Sequence, residues 1–274
     1  MLLYRIAPEG FYAAADTEGV LRVLYSDPYE TLPGGWQLGQ PVEPTSLLVP
    51  LRPGKIVGVG RNYREHAEEL GNEPPAEPLL FLKAPSSVIG HKAPVVLPPE
   101  SEEVHFEGEI AVVVRNRLTR ASREEAESSI LGITCSCDVT ARDLQRRDAT
   151  FARGKSFDTF CPLGPALHVR PEWGNLEVIT RVNGEERQRG RDTQMTWSPA
   201  ELLAYISRMM TLEPGDVVLT GTPSGVGALH DGDVLEVEIP GLGTLENPVQ
   251  TRQDGEPESG TNGAEDSEAE EIER

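Results

Sequence analysis

Apolar and polar positions alternate in short bursts at the start of the chain, LLYRIA, FYAAA and LRVLYS, with the turn letters PEG, DTEG and SDP between them. Period-two alternation bounded by Gly, Pro and Asp predicts strands joined by tight turns, and so a small β-rich N-terminal domain over residues 1–54. PLRPG forms the joint, and KIVGVG after it is an apolar strand ending in glycines. Two stretches switch to helical spacing behind a capping signature. Ser122 with Glu125 precedes one, and Ser198 with Pro199 and Glu201 starts AELLAYISRMM. A third, RNYREHAEEL, closes at Gly71 and is mostly polar, which predicts a short surface helix or lid. Towards the C-terminus, EPGDVVLTG and HDGDVLEVEIPGLG each pass from a turn into a strand. Many strands with few helices predict an α+β or mostly β fold, with a curled sheet or barrel.

One strand breaks the pattern. VHFEGEIAVVV, residues 104–114, carries two glutamates at the head of a run as apolar as a buried strand. Alternation puts His105, Glu107 and Glu109 on one face, the two carboxylates about 7 Å apart at Cα for a rise of ~3.3 Å per residue. Such a pair repels unless a cation lies between, and oxygen-only ligands select a hard ion, Mg2+ first, then Mn2+ or Ca2+. A solvated edge strand explains the same letters equally simply.

Composition narrows the classes. The chain has 274 residues and is 38% hydrophobic, enough for a large core. No window reaches the ~18 apolar residues of a membrane span, and residues 1–16 lack a signal-peptide pattern, so a cytoplasmic protein is expected. Three cysteines without CxxC spacing suggest buried thiols rather than a disulfide framework or a zinc ribbon. A net charge of −20 argues against nucleic acid as a partner, and any anionic substrate requires local positive charge. Residues 251–274 hold nine acidic and two basic residues, as a disordered acidic tail does. Only Lys55, Lys83, Lys92 and Lys155 are lysines. That bias fits adaptation to high salt, and equally a GC-rich genome.

Further chemistry lies downstream. In CDVTARDLQRRD, helical spacing would place Asp138, Arg142 and Gln145 on one stripe, an acid, a carboxylate-gripping cation and an amide. The plainer account makes Asp138 a helix cap and Arg142 half of a surface ion pair. Lys155, in GKSFDTFCPLGP, sits in a rigid aromatic loop where it either meets an anion or snorkels to solvent. LTGTPSGVG lacks a P-loop pattern and VGVGRNY is a poor dinucleotide fingerprint. The former is either an oxyanion loop carrying Thr222 or simply a tight turn. His66 and Glu69, at i and i+3, form either a base with its orienting carboxylate or a chance surface pair.

In this order, GRNYREH, PLLFLKAPSSVIG, HFEGEIAVVV, CDVTARDLQ, GKSFDTFCPLGP, VNGE and LTGTPSGVG resemble the fumarylacetoacetate hydrolase family over residues 55–250. The closest likeness is to its acylpyruvate hydrolase and oxaloacetate decarboxylase type. The resemblance implies a β-roll catalytic core, a homodimer, and Mg2+ or Mn2+ on Glu107, Glu109 and Asp138, with Ca2+ as a non-native occupant. It also implies substrate contacts at Arg142, Gln145, Lys155 and Thr222, and a lid helix with a His66/Glu69 dyad. The implied reaction is C–C hydrolysis of an acylpyruvate or related 2-oxo or 3-oxo acid through a pyruvate enolate, with Lys155 holding negative charge. The same site also suits isomerisation of 5-carboxymethyl-2-hydroxymuconate or 2-hydroxyhepta-2,4-diene-1,7-dioate, or decarboxylation of oxaloacetate. A non-catalytic binding module whose functional part is the acidic tail is the reading from another class.

Overall fold

The computed structural model describes residues 1–44, 46–69 and 75–252. Most of the acidic tail read from the sequence, residues 253–274, lies outside the described residues, as does Gly71. Thr251, assigned to that tail by composition, instead ends the strand Gly243–Thr251. Among the described residues no helix is long and apolar enough to cross a membrane.

The fold is α+β, strand-rich, with a large mixed sheet and two smaller ones. Gly108–Val114 and Ile130–Cys137 are antiparallel neighbours at the centre of the large sheet, buried along their whole length. Their near-continuous apolar letters follow from burial on both faces. Ile110, Val112 and Val114 join one core cluster and Ala111 and Val113 the other, so alternation distributes side chains between two cores rather than between core and water. Val217–Leu219 lies on the other side of Gly108–Val114 and pairs in parallel with Ile56–Gly60, whose far neighbour is Leu79–Lys83. In the other direction, Ile130–Cys137 pairs with Cys161–Val169, to which Leu2–Ile6 is added antiparallel. The N-terminal strands therefore continue the same hydrogen-bonded sheet.

A five-stranded sheet built on Glu177–Val182, Val234–Ile239 and Gly243–Thr251 supplies much of the first core cluster. The third sheet is small: Thr140–Ala141, Val104–Phe106 and Gly227–Ala228. Both predicted capping boxes form, at Ser122/Glu125 and Ser198/Glu201. The second starts Pro199–Ser207, whose Leu202, Leu203 and Ile206 pack into the core.

Candidate active site

Glu107 lies where the chain leaves Val104–Phe106 of the small sheet and enters Gly108–Val114 of the large one. The crossing needs glycine next: a Cβ on Gly108 would stand 1.9 Å from Thr180 Oγ1. Gly108 N–H donates to Gln188 Oε1 at 2.9 Å, and Gly108 O accepts from the Thr222 hydroxyl at 2.8 Å. With its flanks held in this way, Glu107 and Glu109 both face one cavity of about 430 Å³, together with Asp138, Arg142, Gln145, Lys155, Thr222 and His66. Carboxylate oxygens of Glu107, Glu109 and Asp138, one from each, all lie within 4.8 Å of one another.

The cations are distributed unequally. Glu107 accepts from Arg142 Nη2 at 2.5 Å and from Lys155 Nζ at 2.7 Å. Asp138 accepts from Lys155 Nζ at 2.5 Å and from Lys83 Nζ at 2.6 Å. Among the described residues Glu109 receives only the Gly221 N–H, at 2.6 Å, and no lysine or arginine forms an ion pair with it. Burial alone would raise the Glu107 carboxyl, but Lys155 and Arg142 hold it well below the usual carboxylate range. For Glu109, burial acts first and the neighbouring Asp138 and Glu107 add to it, so its carboxyl is pushed well above that range. Burial would lower Lys155, and Asp138 and Glu107 more than offset it, raising the ammonium. Lys155 Nζ also stands 4.8 Å from the centre of the Phe81 ring.

A hard divalent cation fits this donor set: three buried carboxylates, oxygen only, with one of them lacking a positive partner. The helix Arg64–Glu69 presents the buried His66 to the same cavity, and its Nδ1 is 3.1 Å from Glu69 Oε2. Glu69 Oε1 accepts from Gly225 N–H at 2.9 Å, latching the helix to the loop that also holds Glu109.

Every site residue expected from the sequence lines the cavity except Glu69, which reaches it through His66. Two spacing arguments nevertheless fail. Asp138 is not helical: it follows Ile130–Cys137, Thr140–Ala141 intervenes, and the helix starts only at Arg142. Arg142 and Gln145 do share that helix, and Arg142 Nη1 donates to Gln145 Oε1 at 2.7 Å. His105 does not join the glutamates, because the strand breaks at Glu107; its ring turns to Glu103, 3.2 Å away. The Thr222 loop uses its Gly221 N–H on Glu109 and its Thr222 proton on the backbone, with Gln188 Nε2 donating to the Thr222 oxygen at 2.7 Å.

Lys83 and Gln188 escaped the sequence reading. The Lys83 ammonium is buried and donates to Asp138, to Val139 O at 3.3 Å and to Lys155 O at 2.5 Å, so it holds a carboxylate and the backbone of Lys155 together. Its signal was a rare lysine closing the apolar strand LLFLK. Gln188 sits in the charged run EERQRGR, and no spacing marks it.

Comparison with known proteins places this geometry among relatives. Residues 55–250 match the model of the fumarylacetoacetate (FAA) hydrolase C-terminal family. An uncharacterised protein of Archaeoglobus fulgidus is 46% identical over 207 residues, covering 76% of this chain and 83% of its own. Human oxaloacetate tautomerase FAHD2A, mitochondrial, is 43% identical over 219 residues, covering 76% of this chain and 70% of its own. The crystal structure of 5-carboxymethyl-2-hydroxymuconate delta-isomerase from Mycobacterium smegmatis superposes with a TM-score of 0.82 at 37% identity, covering 92% of this chain and 100% of that one.

Proposed function

This chain belongs to the fumarylacetoacetate hydrolase family, and from that premise we propose that it enolises a small 2-oxo acid in a divalent-metal site, by keto–enol tautomerisation or double-bond isomerisation. The observation that carries this reading is the convergence of Glu107, Glu109 and Asp138 with Lys155 in one cavity under the His66–Glu69 pair. Glu107, Glu109 and Asp138 would hold Mg2+ or Mn2+, which when bound supplies Lewis-acid stabilisation to the oxygens of a 2-oxo carboxylate.

The side chains supply the remainder. Glu69 fixes the His66 proton on Nδ1 and leaves Nε2 as the base that takes a proton from the carbon beside the 2-oxo group. The raised, fully charged Lys155 stands where negative charge develops on the enolate oxygen. Arg142, oriented by Gln145 and Glu107, offers its guanidinium to the substrate carboxylate. Thr222 serves as a strut for the backbone at Gly108. The tautomerase and isomerase names of the two relatives describe proton movements of this kind.

Hydrolysis or decarboxylation of a C–C bond is the second reading. It is favoured by Glu69, whose one-third-exposed carboxylate gives the pair access to water that His66 can activate. Solvent-deuterium exchange at the carbon beside the 2-oxo group, followed by NMR alongside product release from oxaloacetate and an acylpyruvate, separates the two. Exchange without cleavage is expected, lost with EDTA, restored by Mg2+ or Mn2+, and reduced about 100- to 10,000-fold in His66→Ala with metal binding intact. Cleavage, with or without exchange, favours the second reading, and neither exchange nor cleavage with any of these acids overturns both.

A further inference from the structure

Arg61 also lines the cavity, and its backbone is unusual: φ is +58°, in the left-handed region that non-glycine residues seldom adopt. Such a conformation persists where the surroundings over-determine it. Here Gly60 is paired with Leu79 on one side of Arg61. On the other, the buried Asn62 donates to Trp197 O at 3.1 Å and Thr220 O at 2.8 Å, and accepts from Trp197 N–H at 2.9 Å and Thr196 N–H at 2.7 Å. Gly221 closes the clamp, since a Cβ there would lie 2.8 Å from Asn62 Cβ. The turn that presents Arg61 is thus as firmly built as the carboxylate cluster.

The other cations at the site are matched. Lys83 and Lys155 face Asp138 and Glu107, Arg142 faces Glu107, and Arg146 at the rim faces Glu103. Among the described residues the Arg61 guanidinium has neither an ion-pair nor a hydrogen-bond partner. Val59, Leu79, Phe81 and Phe151 give the lining an apolar wall with no charge of its own. A planar guanidinium grips a carboxylate through two parallel hydrogen bonds. An acid without a second carboxylate would leave this partly buried cation unpaired, a strong basis for discrimination.

We propose that Arg61 is the specificity-determining residue of the cavity, binding a second carboxylate of the substrate, so that the protein takes 2-oxo dicarboxylates in preference to 2-oxo monocarboxylates. This rests on the 2-oxo acid reading above. Oxaloacetate and 2-oxobutanoate have the same four-carbon chain and differ only in a terminal carboxylate against a methyl group. Calorimetric Kd and deuterium exchange for both acids are measured on the Mg2+-loaded wild type, on Arg61→Asn, which tolerates the left-handed backbone, and on Arg61→Lys. Arg61→Asn is expected to weaken oxaloacetate by about 10- to 100-fold and to leave 2-oxobutanoate nearly unchanged, with Arg61→Lys recovering part of the loss. Equal losses for both acids, or none for oxaloacetate, overturn the assignment. If neither acid exchanges in the wild type, the function reading falls, while the Kd ratio still decides the role of Arg61.

Discussion

The Glu109 carboxylate stands beside Glu107 and Asp138 with one N–H, from Gly221, as its hydrogen-bond partner. Its charged form is therefore disfavoured in the metal-free protein, and a neutral amide in its place should cost that protein nothing while damaging the proposed metal site. Glu109→Gln is expected to melt at or above the wild-type temperature in EDTA, yet to bind Mn2+ at least about tenfold more weakly by calorimetry; a lower melting point in EDTA would contradict the charge argument. Lys83 is the opposite case. Lys83→Met leaves Asp138 without one of its two buried cations and frees two backbone carbonyls, a loss of about 3–5 kcal/mol by urea unfolding. A change below about 1 kcal/mol would mean that Lys155 alone suffices for Asp138. The glutamates were legible because carboxylates in an apolar strand conflict with their surroundings. Lys83, Gln188 and Asn62 were not, because each is identified only by partners between 34 and 158 residues away.

At the scale of elements, local chemistry was the readable part. The capping boxes, the short polar helix Arg64–Glu69 and the buried strand 108–114 all rest on letters within one turn or one pleat of each other. The break at Glu107 and the non-helical Asp138 depend on the contact between two sheets, which no short spacing encodes. The loop at 90–93 illustrates the same dependence. It is fastened to Gly243–Thr251 by Lys92 N–H on Glu246 O at 2.7 Å, by Asn247 on Gly90 O and Ala93 O, and by Glu246 N–H on His91 Nδ1 at 3.1 Å. His91 is an acceptor there, and burial, then Lys92, lowers its pKa. A folded-state pKa below the ordinary value near 6.5 favours the neutral ring, so its contribution is full above that pH and is lost as the pH falls through the lowered value. Melting temperature should drop between pH 7.5 and 5.5, and His91→Gln, which keeps an acceptor, should flatten that part of the profile. An unchanged slope would assign the drop to other groups.

For the whole molecule, a net charge of −20 opposes compaction, and salt screens it, the Debye length shrinking from about 10 Å at 0.1 M to about 3 Å at 1 M. Melting temperature is expected to rise from low to molar KCl, and a flat or falling curve would remove the link between acidity and salt. Composition also marked where the acid-rich end begins, but only to within a strand. Thr251 pairs with Leu97 and Arg252 N–H reaches Leu97 O at 3.1 Å. Truncation after Arg252 should leave turnover and melting temperature unchanged, whereas truncation after Asn247 should lower the melting temperature, because it removes the pairing with Val95–Leu97.

The loop from Gly221 to Gly225 holds Glu109 at one end and Glu69 at the other. Two distant parts, the carboxylate cluster and the His66–Glu69 pair, therefore hang from five consecutive residues, and inserting one residue there would misalign both together. Leu79 and Phe151 on the apolar wall have no such double duty. Substitutions along that wall can reshape the cavity one residue at a time while both fastenings stay intact, and evolutionary novelty in this scaffold is channelled to its greasy side.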